Sequence, residues 1–235
     1  MSLTYFLIDI LTLAGPLILS FDKKVAFASK WKYFLPAILI PAFIYILWDT
    51  IFVRLGIWKF NPEFLSSGRI LKLPWEEILF FICIPYACLF IYECLRVYSP
   101  GTGSKVVAII FGWILVLVCV AAIFFYWDRI YTAVTALLLM VTLINHLTAT
   151  RGNYLSHVFI SWGIALIPMA IVNGLLTALP ILIYDDTNNS GIRLGTIPIE
   201  DFFYNLLFML WMIWIFEYFR QKPMHKAAAQ AKVNY

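Results

Sequence analysis

The chain has 235 residues, of which 63% are hydrophobic and only 13% charged, against roughly half and a quarter in soluble domains. That balance excludes an ordinary soluble globule. The net charge of +4 is no nucleic-acid signal in such a chain and has to be read loop by loop.

Apolar runs long enough to cross a bilayer predict seven helices, at 3–20, 33–53, 76–95, 105–126, 130–149, 155–179 and 199–219. No basic residue precedes Lys23, so the first run is expected as a retained span and not a cleaved signal. Pro36, Pro41 and Pro168 lie inside spans and predict kinks there. The stretch 221–235 is polar and is expected to fray. The loops reached after spans 1, 3, 5 and 7, with that tail, carry 11 basic residues, Lys226 and Lys232 among them; the opposite loops carry 6. The positive-inside rule then places the N-terminus outside and the C-terminus in the cytoplasm, with the chain in the plasma membrane. Cys83, Cys88, Cys94 and Cys119 read as small buried side chains.

A pattern of the form Arg-x4-Pro-x-Glu-[Glu/Asp] occurs twice. Arg69, Pro74, Glu76 and Glu77 recur without a gap as Arg193, Pro198, Glu200 and Asp201, and Glu93 and Arg96 recur as Glu217 and Arg220. The chain therefore reads as a duplication: a three-helix repeat over 1–100, a joining helix over 101–128, a second three-helix repeat over 129–220, and a polar cytoplasmic tail over 221–235. An odd number of spans per repeat plus one joining span leaves the repeats parallel, so both acid pairs fall on one side of the membrane. The fold class is an all-α membrane protein of seven transmembrane helices.

Pro74 suits the first turn of a helix, which places Glu76 and Glu77 at the positive end of its dipole. Arg69 and Arg193 are expected as structural partners of the acids, one acid of each pair engaging the Arg while its neighbour keeps a proton. Asp49 near the end of span 2, its counterpart Asn173, and Asp9 within span 1 are polar groups at depths where they usually face a bundle interior. Glu93 and Glu217 fall about 25 Å from the acid pairs, each three residues before an Arg, and read as local ion pairs. His146 and His157 lack ligand-like spacing, and no metal is expected. The lone Gly101-x-Gly103 follows no strand, so no dinucleotide cofactor is expected. No Lys lies in the interior of a span, against a retinal Schiff base, and Asp185-Asp186 is too isolated for diphosphate chemistry. What remains is an aromatic-rich bundle with acids on one side. Acids can protonate a double bond, and aromatic faces can stabilise the resulting cation.

Trp58-Lys-Phe-Asn61-Pro62, Gly68, Leu73-Pro74-Trp75-Glu76-Glu77, Val172-Asn173-Gly174-Leu-Leu-Thr177 and Ile197-Pro198-Ile-Glu200-Asp201 together resemble the small integral-membrane lycopene cyclases. These occur as two short subunits or as one fused two-repeat chain, and the likeness covers nearly the whole sequence. Asp185 stands where that pattern has Asn. The resemblance implies a carotenoid cyclase, an isomerase that closes the ψ-ends of lycopene to β-rings and gives β-carotene by way of γ-carotene. Carried over by position, Glu76 or Glu77 and Glu200 or Asp201 protonate the terminal double bond, and a neighbouring carboxylate or Asp49 takes the ring proton. Trp48, Trp58, Trp75, Phe80, Asn173 and Tyr204 are the expected substrate-binding residues. Two repeats could serve two substrate ends or build one pocket used twice. The implied partners are lycopene or a related carotenoid and membrane lipid, with no nucleic acid; self-association is open. A proton-coupled transporter of a lipophilic solute is the competing reading, and a prenyl-transfer enzyme a third.

Overall fold

The computed structural model describes residues 3–66 and 68–233, with side chains as far as Lys222. Seven helices run as α1 (Thr4–Leu19), α2 (Trp31–Leu55), α3 (Trp75–Tyr98), α4 (Lys105–Phe125), α5 (Ile130–Thr148), α6 (Leu155–Ala178) and α7 (Ile199–Val233). Six are long and apolar enough to cross a membrane. The exception is α1, which is apolar but only 16 residues long, about 24 Å at the helical rise and short of a full hydrocarbon core. Its neighbours explain how it is held. Ser20 just past its end is fully buried, with a hydroxyl that meets the Tyr86 hydroxyl of α3 at 2.5 Å. The helices continue through Pro16, Pro36, Pro41, Pro85 and Pro168. The backbone of α7 is helical to Val233 and so does not fray over the tail as expected; the tail's side chains, Lys226 and Lys232 included, lie outside the described residues.

The exterior is apolar in the way lipid requires. Leu11, Leu117 and Ile167 are each more than two-thirds exposed, which would be a large liability in water. Phe124, Phe125 and Trp127 are exposed around the α4–α5 turn, where aromatic side chains suit a membrane interface.

Within each half, α1 packs on α3 and α5 on α7. Across the halves, α2 packs on α7 and α3 on α6. The joining helix α4 packs mainly against α5, with a smaller contact to α6, and Gly112 lets it approach closely: a Cβ there would lie 3.0 Å from Leu147.

Helix-only expectations miss the strands that link the spans on the acid side. β1 (Trp58–Phe60) pairs antiparallel with β4 (Leu182–Tyr184), with Lys59 opposite Ile183. Lys59 and Ile183 are equivalent positions of the two repeats, so a pseudo-two-fold axis passes through this rung. The symmetry extends to the flanks, where Asn61 N–H donates to Ile181 O and Asp185 N–H to Ile57 O, both at 2.9 Å. Backbone at a membrane boundary must find partners, and the crossing ladder supplies them. Two further hairpins match residue for residue: β2 (Arg69–Ile70) with β3 (Leu73–Pro74), and β5 (Arg193–Leu194) with β6 (Ile197–Pro198). Each proline therefore closes a hairpin as the N-cap residue or its equivalent, one position before the helical turn predicted for it.

Candidate active site

Adjacent residues on a helix point about 100° apart, and this splits each acid pair. Glu77 and Asp201 turn inward. Both line one elongated cavity that encloses about 790 Å³ of free space, its mouth included. Glu76 and Glu200 turn back towards the loops. Glu76 Oε1 accepts from Ser66 N–H and Glu200 Oε1 from Ser190 N–H, each at 2.7 Å and at equivalent positions. Glu200 also accepts from the Thr132 hydroxyl at 2.5 Å. The first acid of each motif thus braces the loop that leads into its own hairpin.

The arginines do not pair with these acids. Arg193 bonds Asp186 and the Thr196 carbonyl, and Arg69 is exposed on its hairpin with no ion pair among the described residues. The hairpin carries the Arg193 guanidinium to Asp186 and the face of Tyr184, while the helix turns Asp201 into the cavity. The expected division, in which one acid holds the Arg and the other a proton, is therefore corrected: a backbone amide, not the Arg, engages the outer acid. Asp185 and Asp186 are loop residues with their own partners. The Thr187 amide and hydroxyl hold the Asp185 carboxyl below its usual range, and the Arg193 and Asn189 hydrogen bonds do the same for Asp186.

Each inward acid is held by tyrosine. The Tyr5 hydroxyl of α1 donates to Glu77 Oε2 at 2.5 Å. In the second half, Tyr131 of α5 donates to Asp201 Oδ1 at 2.7 Å, and Tyr184 of β4 lies 3.0 and 2.9 Å from Oδ1 and Oδ2. Burial, then the Asp201 charge, pushes the Tyr184 hydroxyl well above the usual phenol range, so it stays a donor. Asp49, fully buried at the end of α2, accepts from Trp58 Nε1 at 2.5 Å through Oδ1, and its Oδ2 has no partner.

The cavity follows α3 from Glu77 to Cys88, roughly 16 Å along the helix. Of the residues expected to bind substrate, Trp58, Phe80, Asn173 and Tyr204 line it. Trp48 and Trp75 do not. Trp48 lies behind Tyr204 with ring centroids 4.9 Å apart, and Trp75 donates to the Ser66 hydroxyl and packs on Phe6. Both serve as wall supports because their helical positions face away from the lumen. Tyr5, Tyr131 and Tyr184 escape the motif search. The first two are repeat-equivalent only after a two-residue slip in register, and the repeat counterpart of Tyr184 is Phe60, which has no hydroxyl. At the far end of the bundle, Glu93 binds Lys30 and Arg96, and Glu217 binds Arg220 and accepts from Tyr92 across the halves.

The bracing role of the outer acids makes a prediction. Glu200→Gln keeps an acceptor for Ser190 and should leave the folded chain close to the parent in stability. Glu200→Ala leaves the Ser190 amide and the Thr132 hydroxyl without their partner and should lower stability by about 1–3 kcal/mol, read by thermal unfolding in detergent. Equal stability of the two variants would show that the brace carries no load.

A helical membrane protein with carboxyls from two repeats gathered in one aromatic cavity is suited to proton chemistry on an apolar ligand. A family model described as Lycopene cyclase matches residues 2–95 and 128–219. The chain belongs to the lycopene cyclase family, whose activity is carotenoid cyclisation in a membrane. No curated protein and no solved structure matches the chain.

Proposed function

We propose that the protein is a lycopene β-cyclase, an isomerase that closes both ψ-ends of lycopene to β-rings, and that it does so in one pocket used twice. The supporting observation is that Glu77 of one repeat and Asp201 of the other both face one shared apolar cavity. Two pockets would have kept them apart.

Glu77 is the proton donor in this reading. Its Oε2 is held by Tyr5, while Oε1 makes no hydrogen bond among the described residues and is free to meet the substrate. Its O–H breaks as a C–H bond forms at the terminal alkene carbon. The internal double bond attacks the tertiary cation and closes the ring. Asp201 takes the ring proton. Both its oxygens already accept from tyrosine hydroxyls, an arrangement that suits an acceptor-only carboxylate. Trp58, Phe80 and Tyr204 offer ring faces and edges to the passing cation. Asp49 is fixed by Trp58 on the same wall through Oδ1, and its unpartnered Oδ2 is a polar group for the passing cation. The balance needs no electron acceptor. The membrane orientation proposed from the loop charges has the acid side outside and the C-terminus in the cytoplasm; a C-terminal reporter that reads external would reverse it.

Expression in cells that accumulate lycopene tests the activity. Carotenoids with β-rings are the expected extract. Unchanged lycopene, with the protein shown to be in the membrane, would reject the β-cyclase reading.

A further inference from the structure

Asp9 lies one turn beyond Tyr5 on α1, so both side chains leave the same face. It is fully buried, and neither of its carboxyl oxygens has a hydrogen-bond partner. It does not line the cavity. The groups that face it are Tyr5 on its own helix and Glu77, Glu76 and Cys83 on α3. No cation pairs with it among the described residues. Glu76 is also fully buried, with Oε2 unpartnered and Oε1 tied to the Ser66 loop at the membrane boundary.

A buried ionisable group without a partner is expensive. The scaffold does not demand one here. In the second half, Tyr131 is followed one turn later by Thr135, which occupies the equivalent buried position. The acid is therefore specific to the half that carries Glu77.

We propose that Asp9 returns to Glu77 the proton that ring closure removes, acting through Glu77 and never on the substrate. This rests on the reading of Glu77 as donor. After closure Glu77 is a carboxylate and Asp201 an acid, with the product between them. The Asp9 O–H breaks as the Glu77 O–H re-forms. Glu76 then hands Asp9 a proton and is itself recharged from the loop side. Asp201 releases its proton past Tyr184, which is half-buried and hydrogen-bonded to it. One proton enters and one leaves per ring, and no electrons change hands.

The test counts rings per chain against time, using purified full-length protein supplied with lycopene and quenched at short intervals. Asp9→Thr copies the residue of the second half, and Asp9→Asn keeps the shape while removing the titratable proton; thermal unfolding confirms that each is folded. Both variants should form the first ring at a rate within about twofold of the parent, then slow by at least about tenfold. Asp9→Glu should restore the later turnovers. If first and later rings slow together in folded protein, or if neither slows, the relay is wrong and the cyclase reading stands. If the parent chain forms no ring at all, the cyclase reading falls and the relay with it.

Discussion

Replacing Glu77 by Gln is expected to lower ring formation by about 100-fold or more, the usual contribution of a positioned general acid, in a chain that still folds. Gln keeps the shape and can still accept from Tyr5, whose hydroxyl lies 2.5 Å from the present oxygen. The residual carotenoid is informative. If each repeat served its own substrate end, losing Glu77 would leave one end active and one-ring product would accumulate. With both acids in one cavity, both ends should fail together and lycopene should remain. Asp201→Asn should give the same pattern. One-ring product from both single variants would establish two independent sites, and normal β-carotene from both would remove these acids from the mechanism. Carotenoid extracts separated by chromatography decide between these outcomes.

The second large effect concerns stability at the opposite end. Glu93 is fully buried and takes hydrogen bonds from Lys30 at 2.6 Å and from Arg96 at 2.7 and 3.0 Å. Removing both cations, as Lys30→Ala with Arg96→Ala, strands a carboxylate that water does not reach. Breaking a buried pair in this way costs about 3–5 kcal/mol. The double variant should unfold in detergent on the order of 10 °C below the parent. Adding Glu93→Gln should recover part of that loss, because it removes the stranded charge. An unchanged unfolding temperature would mean that the pairs contribute nothing net.

Much of the architecture is legible in the hydropathy profile, because a bilayer demands long apolar runs and internally bonded backbone. The end of α7 is not. Apolarity stops near Phe219, but Ala, Lys and Gln favour helix without needing lipid, and the backbone continues to Val233. The strands are also invisible to hydropathy. Their rungs exist because two connections meet across the pseudo-two-fold axis, a relation that no local window contains. At the site, the repeated motif points to the correct two helix starts, and the helical repeat alone could have separated Glu76 from Glu77. Which of them turns inward depends on the angle at which each helix enters the bundle. The tyrosines that hold the inward acids were hidden for another reason: Tyr5 and Tyr131 sit on the first helix of each repeat, where the spacing slips by two residues and ungapped comparison fails. Arg69 and Arg193 misled because a shared motif is not a shared contact.

The ladder centred on Lys59 and Ile183 carries a consequence for how these halves can be used. Positions related by its axis have parted in chemistry: Asp49 corresponds to Asn173, Phe60 to Tyr184, and Trp58 to Leu182. On the proposed roles, two copies of the first half could rebuild the same kind of ladder, yet would bring together two Glu77 donors and no Asp201 with its paired tyrosines. Two copies of the second would bring two acceptors. Only a mixed pair contains one of each. By joining the halves in one chain, α4 supplies them one to one, so a ladder closed within the chain always brings an unlike pair together.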